Sequence, residues 1–302
     1  MRWATAFWVL LFALLCRADT VNYTYDNAGR LVRVSYGSGK SIFYTYDKAG
    51  NLSQRLVTTT LAGPAPAITA AGVVNAASFL GGPVTPGEIV TLFGTGVGPA
   101  TLVGLSLTRA GFVDNFLADT SVLFDGVPAP LIYVSANQTS AIVPYAVAEK
   151  SSTQMQVEFQ GRRSSAVTLP VAQSAPALFS LNATGKGGGA ILNQDSSVNT
   201  PANPADKGSV VVLFGTGEGR TNPPGVDGKL AAGTFPKPVL PVRVRIGEID
   251  AETLYAGAAP GLVAGVFQIN VRVPADVASG DVPVVVTVGN ASSQPELTVA
   301  VR

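Results

Sequence analysis

Two copies of one pentapeptide constrain the fold of this chain more than any other feature. Leu-Phe-Gly-Thr-Gly occurs at residues 92–96 and again at residues 213–217. Each copy follows a run rich in β-branched residues and leads to a further glycine, Gly98 or Gly219. This pattern is typical of a buried strand that ends in a tight turn, where glycine adopts backbone angles that would strain other residues. The chain therefore contains two copies of one β-rich module.

The repeat continues beyond the pentapeptides, which indicates duplication of a whole module. Three positions of the first copy, Gln138, Val143 and Pro144, recur in the same order as Gln268, Val273 and Pro274. The second copy also carries a short insertion around residues 258–261. Short strand-like segments at regular spacing, separated by Gly and Pro, predict an all-β protein. We predict two tandem immunoglobulin-like β-sandwiches, at residues 68–173 and 174–302.

The composition excludes several classes of function. Of the 302 residues, 47% are hydrophobic and 13% are charged, so the chain can bury sizeable cores. It has 20 basic and 19 acidic residues and no basic block, which argues against nucleic acid as a partner. It has no histidine, which removes the commonest general base and the commonest zinc ligand. We therefore expect a non-catalytic protein with no cofactor and no metal.

The first residues are typical of an export signal. Arg2 precedes an uninterrupted apolar run at residues 6–15, and Cys16-Arg17-Ala18 then offers small residues to a signal peptidase. The run is shorter than the roughly 20 residues that span a membrane. We interpret residues 1–18 as a signal peptide, expect the mature chain to begin at Asp19, and expect no stable membrane insertion after cleavage. In the alternative, Cys16 is lipidated and anchors a lipoprotein.

A second, smaller repeat follows the signal. Tyr-Thr-Tyr-Asp-x-Ala-Gly-x-Leu occurs at residues 23–31 and again at residues 44–52. Alternating Tyr and Thr predict a strand, while Asp accepts backbone hydrogen bonds in a turn and Gly supplies the positive φ angle. This segment resembles the YD repeat of Rhs-type and teneurin-like cell-surface proteins, whose many copies form a β-sheet shell. Two copies cannot close a shell, so we expect a short β-hairpin segment at residues 19–57 and a linker at 58–67.

The remainder of the chain resembles another family. The stretches that carry this resemblance are residues 72–79, 86–96 and 174–179. They are similar to an uncharacterised C-terminal module of large secreted bacterial proteins, which is similar in turn to IPT/TIG-type immunoglobulin-like domains. The resemblance implies an immunoglobulin-like fold and a location outside the cell. It implies no functional residues.

Several stretches could bind a ligand but favour a structural interpretation. The glycine-rich residues 94–98 and 215–219 could hold a phosphate, but a dinucleotide-binding loop must open a helix, and neither copy predicts one. Residues 37–41, Gly-Ser-Gly-Lys-Ser, imitate a phosphate-binding loop but precede a strand. Residues 193–199 offer oxygen ligands for calcium, yet Asp195 is their only carboxylate, so a hairpin turn is favoured.

Long segments follow both pentapeptides, at residues 99–119 and 220–238. Connections of this length are more often functional than ordinary hairpin loops are. The second segment carries the charged residues that we predict to form a binding loop: Arg220, Asp227, Lys229 and Lys237. In the alternative, the long segments cross between sheets and pack on the neighbouring sandwich.

These patterns predict an exported module at the cell surface or outside the cell, with a role in binding, adhesion or spacing. Its expected partner is a surface glycan or a protein. The alternative is an accessory fragment of a carbohydrate-active enzyme or of an Rhs-type polymorphic toxin, whose catalytic part is lost or lies in another chain.

Overall fold

A computed structural model describes residues 21–25, 29–36, 39–47, 49–59 and 64–302. The predicted signal peptide and Cys16 lie outside the described residues, as do Gly37 and Ser38 of the glycine-rich turn. The chain divides into two compact units, Met1–Ala62 and Gly63–Arg302. Strands dominate the described residues, and their only helix is a single 3-10 turn at Tyr145–Val147, so the prediction of an all-β protein is confirmed. None of them forms a helix long and apolar enough to cross a membrane.

The first unit contains one antiparallel sheet in the order β1-β2-β3-β4. Its strands are β1 Val21–Tyr25, β2 Leu31–Tyr36, β3 Lys40–Tyr46 and β4 Leu52–Thr59. The turn before β4 has the predicted chemistry, because Asp47 accepts hydrogen bonds from the backbone N–H groups of Ala49 at 2.9 Å and Asn51 at 2.8 Å. Gly50 takes a φ of 88°. The Tyr46 hydroxyl donates to the Leu31 carbonyl oxygen at 2.9 Å, which links successive repeats.

The second unit begins with a pair of sheets that form the first sandwich. One sheet has the order β5-β6-β11-β10-β7; the other has the order β13-β12-β8-β9, with β14 also paired to β12. The strands are β5 Ala67–Asn75, β6 Ile89–Thr95, β7 Val103–Gly104, β8 Thr120–Phe124, β9 Val127–Pro128, β10 Leu131–Val134, β11 Gln138–Ile142, β12 Ser152–Phe159, β13 Arg162–Arg163 and β14 Val167–Pro170. The 3-10 turn at Tyr145–Val147 lies between β11 and β12.

Alternating apolar residues join these two sheets in one core. Leu92 of β6 and Leu131 of β10 face Phe124 and Met155 of the opposite sheet, and all four are almost inaccessible to solvent. Phe124 and Met155 are also antiparallel partners in register. Burying side chains of this size stabilises a fold by roughly 1.5–3 kcal/mol each.

The second sandwich repeats this plan. Its sheets have the orders β15-β18-β24-β23, with β17 paired to β18, and β16-β27-β25-β21-β22, with β26 paired to β25. The strands are β15 Ala177–Leu178, β16 Gly187–Gly188, β17 Ile191–Leu192, β18 Val210–Thr216, β19 Thr221–Asn222, β20 Lys237–Pro238, β21 Val242–Ile246, β22 Ile249–Ala251, β23 Thr253–Ala258, β24 Phe267–Arg272, β25 Gly280–Val288, β26 Ala291–Ser292 and β27 Leu297–Val301. Leu213 of β18 pairs with Ile269 of β24, and both enter the core.

The structure adds elements that the sequence did not predict. β5 begins at Ala67, within the predicted linker, and pairs with β6 from Ala67 opposite Thr95. Two-residue strands such as β7 and β9 were also missed, because two residues carry no periodicity. The predicted domain limits at 57, 67 and 173 stay predictions.

We predict that residues 64–302 fold without the YD-repeat segment. The two compact units and the separate sheet of the first unit support this expectation. The truncated chain should melt cooperatively and within a few degrees of the full mature chain, as measured by circular dichroism. Loss of the cooperative transition on truncation would show instead that the repeat segment completes a sandwich core.

Candidate functional site

The two sandwiches meet along a joint with an apolar core of its own. Ile89, Val113 and Ile142 of the first sandwich form a buried cluster with Val263 of the second. Several hydrogen bonds cross the joint. The Ile89 N–H donates to the Thr216 Oγ1 at 2.8 Å, and the Val113 N–H donates to the Gly228 carbonyl oxygen at 2.8 Å. The second of these bonds connects the two long segments, since one contains Val113 and the other contains Gly228.

The second pentapeptide lies in this joint, where its turn packs on the chain that connects the sandwiches. A Cβ atom on Gly217 would overlap the carbonyl oxygen of Ala175, and one on Gly219 would overlap that of Gln173. The Ala175 N–H also donates to the Gly217 carbonyl oxygen at 2.9 Å. Because backbone atoms fill the space beside these glycines, the turn offers no room for a phosphate there.

A cavity of about 120 Å³ lies beside the turn. Its walls come from the two segments in which the copies differ: the long segment at 220–238 and the inserted stretch that begins at Ala258. The ring of Tyr145, from the first sandwich, closes one side. Glu218, Lys229 and Pro236 also line the cavity. The cavity is thus a property of the second copy in contact with the first.

Glu218 is the unusual residue of this cavity. It occupies the place in the second pentapeptide turn that Val97 occupies in the first, and Val97 is fully buried in an apolar core. Glu218 is only 3% exposed, and its Oε2 atom has no hydrogen-bond partner among the described residues. Burial raises the pKa of Glu218 to about 8. A polar group without a partner at a buried position costs roughly 1–3 kcal/mol, so structural needs alone do not explain this glutamate.

Glu88 is a second buried carboxyl group near the joint, but its partners are all internal. Its Oε1 accepts from the Asn75 side-chain amide at 2.9 Å, and its Oε2 accepts from the Thr85 N–H at 2.8 Å. Asn75 also bonds to the Ala175 carbonyl oxygen at 3.2 Å. Burial raises the pKa of Glu88 to about 8, with a further contribution from the charge of Glu218, although the two hydrogen bonds oppose the shift. Glu88 therefore stabilises the junction of the sandwiches.

Tyr145 is held between backbone segments of both sandwiches. A Cβ atom on Gly225 would overlap its ring, and one on Gly87 would lie 2.6 Å from its hydroxyl oxygen. Its N–H donates to the Asp227 Oδ1 at 2.9 Å. Burial raises the pKa of the Tyr145 hydroxyl, and the charges of Glu218 and Asp227 raise it further, so the phenol stays neutral. Burial also raises the pKa of Asp227.

The four predicted loop residues have different surroundings. Arg220 forms an exposed ion pair with Glu149 of the first sandwich at 2.8 Å. Asp227 bonds to Tyr145 across the joint, Lys229 lines the cavity, and Lys237 lies exposed in β20. The segment thus packs on the neighbouring sandwich, as the alternative interpretation expected, and also builds the cavity.

Sequence reasoning did not single out Tyr145 or Glu88 as site residues, and it named Glu218 only among the charged residues at the second long segment. One signal was present in the repeat: Val97 of the first turn becomes Glu218 in the second. The two turns are otherwise alike, so the replacement of a buried valine by a glutamate indicates a chemical role that only the second copy has. The sequence contains no comparable signal that Glu88 and Tyr145 are buried near the second sandwich.

The candidate calcium-binding stretch, residues 193–199, forms a turn whose polar side chains are engaged in hydrogen bonds within the protein. Asp195 accepts from the Ser197 N–H at 3.0 Å, and the Asn193 side chain donates to the Asn203 carbonyl oxygen at 3.0 Å. Asn199 exchanges hydrogen bonds with the backbone of Ala300. Within the described ranges, no three Asp, Glu, Cys or His residues come together as a potential metal site.

Comparison with known proteins identifies the N-terminal segment. Residues 25–63 match the RHS repeat family. The chain therefore carries a YD-repeat segment. No curated protein matches the chain.

One solved structure that matches the chain is the SGBP-B protein of the Bacteroides ovatus mixed-linkage glucan utilization locus, in complex with a mixed-linkage heptasaccharide. The TM-score is 0.32 and the sequence identity is 13%. The match covers 93% of this chain and 63% of that chain, so it spans less than two thirds of that protein's length.

Proposed function

We propose that this chain is a non-catalytic binding module at the cell surface or outside the cell, and that its ligand-binding face lies over the cavity at the joint. The observation that carries the proposal is the origin of the cavity. Its walls belong to the long segment and the insertion that distinguish the second copy from the first. Irregular segments on a rigid β frame are the usual place for recognition. The expected partner is a surface glycan or a protein.

The carboxyl groups support a binding role over a catalytic one. Glycoside hydrolysis requires two carboxyl groups that both face the substrate. Glu218 lines the cavity, but the neighbouring Glu88 already has a donor on each of its oxygens. The chain also has no histidine to activate a serine nucleophile.

Two features support export. The N-terminal residues have the pattern of a signal peptide. The RHS repeat match and the resemblance to secreted bacterial modules point to the same location. The second unit is proposed to consist of two IPT/TIG-like sandwiches, on the basis of that resemblance and of the paired sheets.

The RHS repeat match favours one second candidate function. In this alternative the chain is an accessory fragment of an Rhs-type toxin or of a carbohydrate-active enzyme. Genes for longer YD-repeat proteins beside this one would support it. Specific binding of the isolated chain to a ligand would favour the first proposal.

We predict that replacing Arg220, Lys229 and Lys237 with alanine weakens binding by tenfold or more while leaving the melting temperature nearly unchanged. All three side chains are exposed, and the single ion pair that is lost, Arg220 with Glu149, contributes at most about 1 kcal/mol. Binding of the mature protein to a glycan array and to bacterial surface extracts provides the measurement.

A matched control variant also loses three positive charges, but from a part of the second sandwich away from the cavity. Lys207, Arg243 and Arg245 are exposed on the second sandwich and do not line the cavity. Their triple alanine variant should bind like the wild type. A large fall in melting temperature for the loop variant, with binding preserved, would assign the segment to domain packing.

A further inference from the structure

We infer that the cavity at the joint binds a small alkylammonium group, with the Glu218 carboxylate as its counter-ion. The inference rests on the proposed function and specifies the chemistry of that site. It combines a partly open, mainly apolar pocket with one buried carboxyl group whose Oε2 atom has no hydrogen-bond partner in the described chain.

The size of the cavity restricts the ligand. A volume of about 120 Å³ is slightly smaller than the engineered cavity of roughly 150 Å³ that holds benzene. A group of four or five heavy atoms therefore fits inside the cavity. Prolines, alanines, Val226, Leu230 and the Tyr145 ring form most of the wall and suit a short alkyl chain.

The hydrogen-bonding capacity of the cavity selects against a neutral saccharide. Saccharide sites present an open aromatic face, but the Tyr145 ring is packed against Gly225 and Gly87. The side chains of the lining that could bond to hydroxyl groups are Thr221, Thr234, Lys229, Tyr145 and Glu218 itself. One carboxyl group in an apolar wall matches one ammonium group.

The charges around Glu218 also favour a cation. The ionisable groups coupled to Glu218 are acids: its charge acts on Glu88 and on Tyr145, and the charge of Asp227 also acts on Tyr145. Lys229 is the basic residue of the lining, but its side chain is exposed, and no ion pair joins it to Glu218 in the described structure. An anion would meet the carboxyl groups, whereas a cation offsets the cost of ionising Glu218.

Binding should be coupled to loss of a proton. In the free protein the pKa of Glu218 is raised to about 8 by burial, so its carboxyl group is mostly neutral at pH 6. An alkylammonium ion binds the ionised form, and the proton leaves to solvent. The affinity of the protein for an alkylammonium ion should therefore rise about tenfold between pH 6 and pH 7 and level off above pH 8.

The test uses n-butylammonium chloride as the probe and n-butanol as its neutral counterpart. Both are titrated into the full mature chain and followed by NMR chemical shifts of residues around Glu218. We expect saturable binding of n-butylammonium that strengthens with pH as stated, and at least tenfold weaker binding of n-butanol at pH 8. The pH profile of the wild type needs no variant, so the test does not depend on whether a substitution folds.

Two variants sharpen the result. Glu218→Gln should weaken n-butylammonium binding by at least tenfold and remove its pH dependence, while Glu248→Gln, an exposed carboxylate away from the cavity, should change neither. Equal binding of both probes with a flat pH profile, or no binding of n-butylammonium, overturns the inference. If the protein binds a glycan or a component of the extracts but not n-butylammonium, only the inference is overturned. If it binds n-butylammonium but finds no partner on the array or in the extracts, only the proposed function is overturned.

Discussion

Replacing Gly217 with alanine is expected to destabilise the protein by about 3 kcal/mol or more, whereas the equivalent change at Gly96 should cost about 1–2 kcal/mol. The two glycines occupy the same place in the two pentapeptides, and both have positive φ, 84° at Gly217 and 65° at Gly96. Each substitution therefore has the same left-handed backbone cost. Only at Gly217 would the new Cβ atom overlap another group, the Ala175 carbonyl oxygen.

The surroundings explain why the overlap cannot be relieved. Ala175 belongs to the chain that connects the sandwiches, and its N–H and carbonyl oxygen are both engaged, the latter by the Asn75 amide. At Gly96 nothing lies within 4 Å of the new atom. Chemical denaturation of the two variants provides the comparison. If both alanine variants lose the same unfolding free energy, the joint must rearrange to accommodate the methyl group added at Gly217.

The stability of the protein is expected to fall as the pH rises from about 5 to 8. Burial raises the pKa of both Glu88 and Glu218 to about 8, whereas an unfolded glutamate titrates near 4.5. Between these values the folded state holds protons that the unfolded state has released. The stability that these groups preserve at low pH is therefore lost as the pH approaches 8, by up to about 1.4 kcal/mol per pH unit for each group.

Urea denaturation at pH 5, 6, 7 and 8 measures this slope. Glu218→Gln should reduce the slope by about half and should be more stable than the wild type at pH 8, because glutamine cannot ionise. Glu248→Gln should keep the wild-type slope, since that side chain is 91% exposed. A stability that is flat or rises over this range would show that the two glutamates are ionised in the folded protein.

Acidic residues whose carboxylates accept hydrogen bonds affect the stability of the protein only at lower pH. Hydrogen bonds from Asn51 hold the pKa of Asp47 below its usual value, and Arg302 does the same for Asp206. Their contribution is present above pH 4 and lost as the pH falls further. It therefore does not disturb the range in which the buried glutamates titrate.

The strands and many of their turns were predictable because their signals are local. The β-branched runs before the two pentapeptides predicted buried strands that end in turns, and β6 and β18 form there. The turn at Asp47 and Gly50 was predictable for the same reason, since its hydrogen bonds join residues close in sequence. Comparison of the two copies also located the insertion and the long segments.

The joint and its cavity were decided by tertiary structure. The repeat showed that Glu218 replaces Val97, but its burial follows only when the long segment, the insertion and Tyr145 close around it. Glu88 directly precedes β6 in the sequence, yet its carboxyl group is satisfied by Asn75 and Thr85 only in the folded structure. Periodicity specifies the buried face of one element, whereas the environment of a side chain depends on which distant elements pack against that face.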